Sequence, residues 1–282
     1  MTDFPWQSTS FIGALIFVLG SCVGSFINMV AYRLHKMHQP NADTSRFNLA
    51  YPPSRCPSCA RAIEPWHNLP IVGYLWLKGR SRCCNQPIGV HYLLTELIAG
   101  AVSVVVFAYL TSVNGPPATN PSVFLTSLAS SLGLFWWLIA IVKSSISHPV
   151  NVKDLWQSLL WLGLLANLDG QYCPLPEAVG LVFTALTLGT LLPHRLTQQQ
   201  DRNHRLLLGV AAGLAWFGTG FLLPLALFIL GVGIAKLVAD IGRYASHKTS
   251  AKTKLQNDQS LVATAIALSW FLSVCRTRAP LG

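Results

Sequence analysis

Long apolar runs separated by short polar stretches dominate the chain. Runs near residues 9–31, 92–112, 121–143, 154–169, 176–193, 205–222, 223–240 and 260–275 predict about eight transmembrane helices, since a helix needs about 20 apolar residues to cross a bilayer. The fourth, fifth and sixth runs are short for that task. One long polar insertion, residues 33–91, separates the first run from the second. The expected fold is therefore an all-α polytopic membrane protein. Its first helix lies in 1–32, a small cysteine-containing domain in 33–91, and a membrane domain of about seven helices in 92–282. The first run reads as a retained helix rather than a cleaved signal peptide, because it lacks a basic leader and ends at Arg33.

Composition sharpens this reading. Only 11% of the 282 residues are charged, 52% are hydrophobic and mean hydropathy is +0.46. Soluble domains carry about 25% charged residues. A net charge of +10 would suggest nucleic acid on a soluble protein. On this chain it marks basic loops held on the cytoplasmic side, so membrane lipid is an expected partner and nucleic acid is not. Residues 33–91 carry Arg33, Lys36, Arg46, Arg55, Arg61, Lys78, Arg80 and Arg82 against Asp43 and Glu64, which places that insertion in the cytoplasm. Lys143, Lys153, Arg195, Arg202, Arg243, Lys248, Lys252 and Lys254 assign the loops 144–153, 194–204 and 241–259 to the same side. Arg276 and Arg278 are the exceptions, on an outer tail.

The insertion holds Ile71-Val72-Gly73-Tyr74-Leu75-Trp76-Leu77 and four cysteines, the make-up of a folded insert. Cytosolic thiols stay reduced, so clustered cysteines there point to metal more than to disulfides. Cys56 and Cys59 have zinc-knuckle spacing. Cys83 and Cys84 are adjacent, and adjacent side chains tend to diverge. The candidate set is Cys56, Cys59 and Cys84, completed by Cys83, His67 or His91.

Several motifs together resemble the type IV prepilin peptidases, the leader peptidase and N-methyltransferase family of type IV pilus and type II secretion systems. They are Gly24-Ser25-Phe26-Ile27-Asn28, Arg33-Leu34, Phe47-Asn48-Leu49, Ser54-Arg55-Cys56-Pro57-Ser58-Cys59, Pro65-Trp66-His67-Asn68-Leu69-Pro70, Gly79-Arg80, Pro87-Ile88 and Tyr92-Leu93-Leu94-Thr95-Glu96-Leu97. The resemblance implies a multi-pass bacterial inner-membrane protein and prepilin or pseudopilin N-terminal segments as partners, together with pilus or type II secretion inner-membrane components. It implies zinc in the cytoplasmic domain and S-adenosylmethionine as methyl donor, for which no binding residue is assigned. The family carries two Cys-x-x-Cys pairs; here the second reads Ser81-x-x-Cys84, with Cys83 extra.

The resemblance also implies an intramembrane aspartyl protease. Two facing carboxyls share a proton, so that one acts as acid and the other as base. Anchored on Trp161-Leu162-Gly163-Leu164-Leu165-Ala166-Asn167 and His148, the first aspartate positions hold Ser145 and Ser147. Anchored on Arg205-Leu206-Leu207-Leu208-Gly209, the second holds Asn203, without the family's glycines. The expectation is a member that binds or assists prepilin-like proteins without cleaving them. The alternatives are an active peptidase using a displaced Asp154/Asp201 pair, a methyltransferase without peptidase activity, and a structural assembly factor. Asp154 otherwise reads as a helix-start acid favoured by the macrodipole and Asp201 as part of a solvated loop.

Glu96, just inside the second span, is either functional or a partner in an ion pair or cap. Ser25 and Asn28, one turn apart, are expected to bond a neighbouring helix. Cys22 and Cys275 read as small packing residues, and Asp169 and Glu177 as parts of an outer loop.

Overall fold

The computed structural model describes residues 9–39, 47–114, 120–147, 152–191, 197–221, 266–267 and 269–270; within these, side chains at 114, 188–191 and 197–206 are not described. Among the described residues there are helices and no strands. The chain divides into two units, Met1–Asn151 and Val152–Gly282.

The first unit contains α1 (Thr9–Met37), a 3-10 turn (Pro65–Asn68), α2 (Val72–Trp76), α3 (Val90–Asn114) and α4 (Pro121–Ser147). Helices α1, α3 and α4 are long and apolar enough to cross a membrane. At about 1.5 Å per residue, the 29 residues of α1 reach about 43 Å. That exceeds the roughly 30 Å hydrocarbon layer, so α1 continues past Arg33 into the polar segment. Glycine sets how closely α1 approaches α3. A Cβ on Gly24 would lie 2.7 Å from the Glu96 Cα and 2.9 Å from the Thr95 carbonyl oxygen. Small residues bring helix backbones together in this way where lipid offers no hydrophobic drive for association. Asn28 Nδ2 donates to the Tyr92 carbonyl (3.0 Å), the interhelical bond expected of that residue. Trp136 Nε1 donates to Ser103 Oγ (2.9 Å) and ties α4 to α3. Ile27, Ala99, Val106, Phe107, Leu110, Phe124, Leu134 and Ile141 form the buried core. Cys22 is exposed on α1, not packed inside as expected.

The second unit contains α5 (Lys153–Ala166), α6 (Leu175–Leu191), α7 (Thr197–Phe217) and a closing 3-10 turn (Gly218–Phe221). At 14 residues, α5 is shorter than the usual bilayer crossing, and α6, at 17, is at the lower limit of one. The segment expected as a loop, 194–204, is helical from Thr197 onward. Gln198, Gln199, Gln200 and Arg202 are adequate helix formers, and no glycine interrupts them. Trp156, Leu159, Ala211, Ala215, Trp216 and Phe221 make the core of this unit. The expected spans 223–240 and 260–275, with His194, Asp240, His247 and Cys275, lie outside the described residues, apart from 266–267 and 269–270.

Candidate functional site

The cysteine module is built from two turns that repeat each other at a constant offset. In the first, Cys56 N donates to the Arg61 carbonyl (2.8 Å) and Ala60 N to the Cys56 carbonyl (2.9 Å). In the second, Ser81 N donates to the Gln86 carbonyl (2.8 Å) and Asn85 N to the Ser81 carbonyl (2.8 Å). Antiparallel bridges close each turn, Arg55 with Ala62 and Arg80 with Pro87. Each bends through one left-handed residue, Ala60 at φ 58° and Asn85 at φ 56°. Ser81 thus stands where Cys56 stands, Cys84 where Cys59 stands, and Cys83 where Ser58 stands.

All four sulfurs converge. Cys59 and Cys83 Sγ lie 3.1 Å apart, Cys56 and Cys84 3.7 Å, and Cys83 and Cys84 3.9 Å. Every pair falls within 4.8 Å. Zinc bound to four thiolates at about 2.3 Å has sulfurs about 3.8 Å apart, so these residues fit the ion and could hold it. Ser81 Oγ rests 3.1 Å from Cys84 Sγ and accepts from Gln86 N (3.0 Å), so it supports the turn beside the sulfurs. His67 turns instead to Glu64 (3.4 Å) and Arg82 (3.4 Å). His91 stacks on Tyr92, with ring centroids 4.5 Å apart.

The sulfurs have sharply different acidities. The backbone amide of Cys59, then that of Ser58 and the Cys83 and Cys84 thiols, lower the Cys56 thiol to about 6 against the opposing effect of burial. Contact with Cys59, then burial and the Cys56 sulfur, push Cys83 up to about 12. Four sulfurs this close ionise together only with a cation among them.

Beside this module is a cavity of about 790 Å³, lined on the helix side by Asn28, Tyr32, Arg33, Tyr92 and Glu96 and on the module side by Tyr74, among others. Glu96 is buried, and its Oε2 accepts from Ile71 N (2.7 Å). Ile71 sits at φ 61°, unusual for a β-branched residue, immediately before α2. Its amide is therefore held by a carboxylate of α3, which makes Glu96 the anchor of α2. Arg33 donates to the Asn48 and Pro52 carbonyls, with Nη1 2.8 Å from Asn48, and pins residues 47–52 to α1. Among the described residues, the buried Asn28 Oδ1 has no hydrogen-bond partner.

The positions matched to the aspartates hold no acid. Ser145 Oγ donates to the Ile141 carbonyl of its own helix (2.8 Å). Ser147 closes α4, and His148 is outside the described residues. Asp154 is the acid of the first turn of α5. Asn203 and Asp201 belong to α7, with side chains that are not described.

Sequence reading missed one polar cluster in the second unit. Asn167 is fully buried. Its Nδ2 donates to the Ala215 (2.8 Å) and Trp216 (2.9 Å) carbonyls, and its Oδ1 accepts from Tyr172 N (2.9 Å) and Cys173 N (3.1 Å). Glu177, in the first turn of α6, accepts from Thr219 N and Oγ1, both at 2.8 Å. These bonds clasp the α5–α6 loop and α6 to the end of α7.

Paired long apolar helices carrying a small tetracysteine module define a helical membrane protein with a metal-competent polar domain. Residues 18–110 match the bacterial peptidase A24 N-terminal domain. The prepilin leader peptidase/N-methyltransferase of Klebsiella pneumoniae is 36% identical over 179 residues, 64% of this chain and 72% of that relative. The protein of the same name from Aeromonas salmonicida is 33% identical over 259 residues, 83% of each chain, and that of Pseudomonas aeruginosa is 34% identical over 186 residues, 61% of this chain and 60% of the relative. The chain belongs to the prepilin leader peptidase/N-methyltransferase family. No solved structure matches it.

Proposed function

We propose that the chain is a bacterial inner-membrane member of this family that binds the N-terminal segments of prepilin-like proteins and does not cleave them by the aspartyl mechanism. It would cross the membrane about eight times, with residues 33–91 in the cytoplasm. The observation that carries the reading is Ser145, whose hydroxyl is spent on the Ile141 carbonyl (2.8 Å). A neutral hydroxyl there, with Asn203 at the second position, supplies neither member of a proton-sharing carboxyl pair. The cavity of about 790 Å³ falls in the size range of ligand sites. Its lining combines apolar and aromatic side chains such as Met29, Tyr32, Tyr74, Leu77 and Tyr92 with Glu96 and several basic residues, a mixed surface of the kind that holds a peptide segment. Zinc held by Cys56, Cys59, Cys83 and Cys84 would lock the two turns that form one wall of this cavity. Bound metal would stabilise the folded module, because the four ligands meet only there.

The test is co-expression with a prepilin in cells lacking their own prepilin peptidase, followed by mass measurement of the pilin N-terminus. Full-length pilin that co-purifies with this chain is the expected result. A shortened pilin overturns the reading; loss of cleavage in Asp154→Ala or Asp201→Ala would then assign the displaced pair. A precleaved pilin that gains a methyl group would mark retained transfer from S-adenosylmethionine. Unchanged pilin recovered without this chain, while the chain co-purifies with the inner-membrane platform of a pilus or type II secretion system, would make it an assembly factor.

A further inference from the structure

The cysteine module carries an apolar face that no other described residue covers. Trp66 is 75% exposed, Trp76 78%, Leu75 63%, Val72 53% and Leu69 48%. A water-facing insert has no reason to present two tryptophans and three aliphatic side chains within so short a segment. Most of the other exposed large apolar residues of this unit lie on its long membrane-length helices, as with Val18, Val105 and Leu125.

The depth of this face follows from one hydrogen bond. Ile71 N is 2.7 Å from Glu96 Oε2. Glu96 lies six residues into α3, about 9 Å along a helix that rises ~1.5 Å per residue. Ser25 of α1, next to the Gly24 whose Cβ would lie 2.7 Å from the Glu96 Cα, stands eight residues before Arg33, about 12 Å inside by the same rise. The start of α2 is therefore held level with the inner turns of two helices long enough to span a bilayer. Helix α3 shows its own apolar side chains at that level, with Leu94 and Ile98 exposed. Beyond α2 the character changes at once: Lys78, Arg80 and Arg82 follow within six residues of Trp76, all exposed. An apolar face with tryptophans at its ends, succeeded by cations, is the pattern of an interfacial segment.

We propose that Trp66, Leu69, Val72, Leu75 and Trp76 seat the cysteine module in the headgroup layer of the bilayer that α1 and α3 cross, with Lys78 and Arg80 against anionic lipid phosphates. Helix α2 is too short to bind a membrane alone. It is tethered there by Glu96, so its apolar face completes a surface that the spanning helices begin. The proposal does not depend on which activity the chain retains.

The test uses the full chain in nanodiscs of phosphatidylcholine and phosphatidylglycerol. The chain has nine tryptophans, so the Trp76 signal is taken as the difference between wild type and Trp76→Phe, and the Trp66 signal likewise with Trp66→Phe. Lipid brominated high on the acyl chain should remove about half of each difference signal, while aqueous iodide removes about a tenth or less, as for tryptophan at an interface. Strong iodide quenching places the face in water and overturns the proposal. Protection from both quenchers means that a protein surface covers it, and overturns the proposal equally. Brominated phosphatidylglycerol should quench roughly twice as strongly as brominated phosphatidylcholine, an excess that Lys78→Glu with Arg80→Glu abolishes. Equal quenching by the two lipids in wild type overturns the anionic-lipid assignment without recourse to any variant.

Discussion

Cys83 and Cys59 meet at 3.1 Å between sulfurs, although Cys83 occupies the turn position that Ser58 occupies in the companion knuckle. The position equivalent to Cys56 is held by Ser81. The fourth sulfur has thus been supplied from two residues further along, so four sulfurs remain close enough to share one ion. Wild-type protein should carry about one zinc per chain. Cys83→Ser should weaken zinc binding by more than about tenfold, since even an outer-sphere partner of a metal ligand is worth about 10–100-fold. Adding Ser81→Cys to Cys83→Ser should restore it. Metal content after dialysis against a graded chelator checks each step. Full zinc retention in Cys83→Ser would place the fourth ligand elsewhere.

Legibility in the sequence differed from element to element. The long apolar runs of α1, α3 and α4 could be read directly, because hydropathy over 25 or more residues leaves little else for them to be. The start of α7 could not, since the polar residues from Thr197 form helix without any apolar signal. The four cysteines could be named as candidates, but not their arrangement. Adjacent side chains diverge on an extended strand, and here Cys83 and Cys84 instead lie on a turn that reverses at Asn85. Asn167 was visible only as part of a matching string. Its side-chain hydrogen bonds run to a loop and to α7, some 48 residues away, and no local pattern announces such a clasp.

Gly24 is predicted to tolerate no side chain. The obstacle to a Cβ is the Glu96 Cα at 2.7 Å, which is backbone and cannot rotate aside. Gly24→Ala should separate α1 from α3 and destabilise the first unit by about 1–3 kcal/mol, the usual cost of overpacking. Gly13, whose Cβ would meet nothing within 4 Å, is the control, and Gly13→Ala, a better helix former, should hold the melting temperature or raise it by about 1–4 °C. Both are read by thermal unfolding in detergent. Equal melting of the two variants would mean that the close approach does not limit packing.

Asn167→Ala should destabilise the second unit by about 3 kcal/mol. The substitution leaves the Tyr172 and Cys173 amides without their acceptor (2.9 and 3.1 Å), and a buried donor left unpaired costs about 1–3 kcal/mol. Asn167→Asp keeps the acceptor but sets a carboxylate against the Ala215 and Trp216 carbonyls, so it should be no better. Limited proteolysis in the α5–α6 loop should accelerate in both variants. Unchanged cleavage would show that the clasp is redundant with the Glu177 bonds to Thr219.

The thiol of Cys173 gives this loop a pH dependence of known sign. Burial, and secondarily the Glu177 carboxylate, push it from 9.0 up to about 11. The folded state therefore holds its proton more tightly than the unfolded state does. The stabilisation is fully present below pH 9 and is lost as pH rises from 9 to 11, on the order of a few kcal/mol in all. Thermal melting across that interval should fall more steeply in wild type than in Cys173→Ala, which cancels the contribution of other groups that titrate there. At pH 8 the thiolate fraction of a group at 11 is about a hundredth of that at 9, so alkylation of Cys173, followed by peptide mass mapping, should be about a hundredfold slower than that of a free cysteine even before shielding is counted. Alkylation at the free-thiol rate would mean that the loop opens readily, and the Asn167 clasp would then be too weak to hold it.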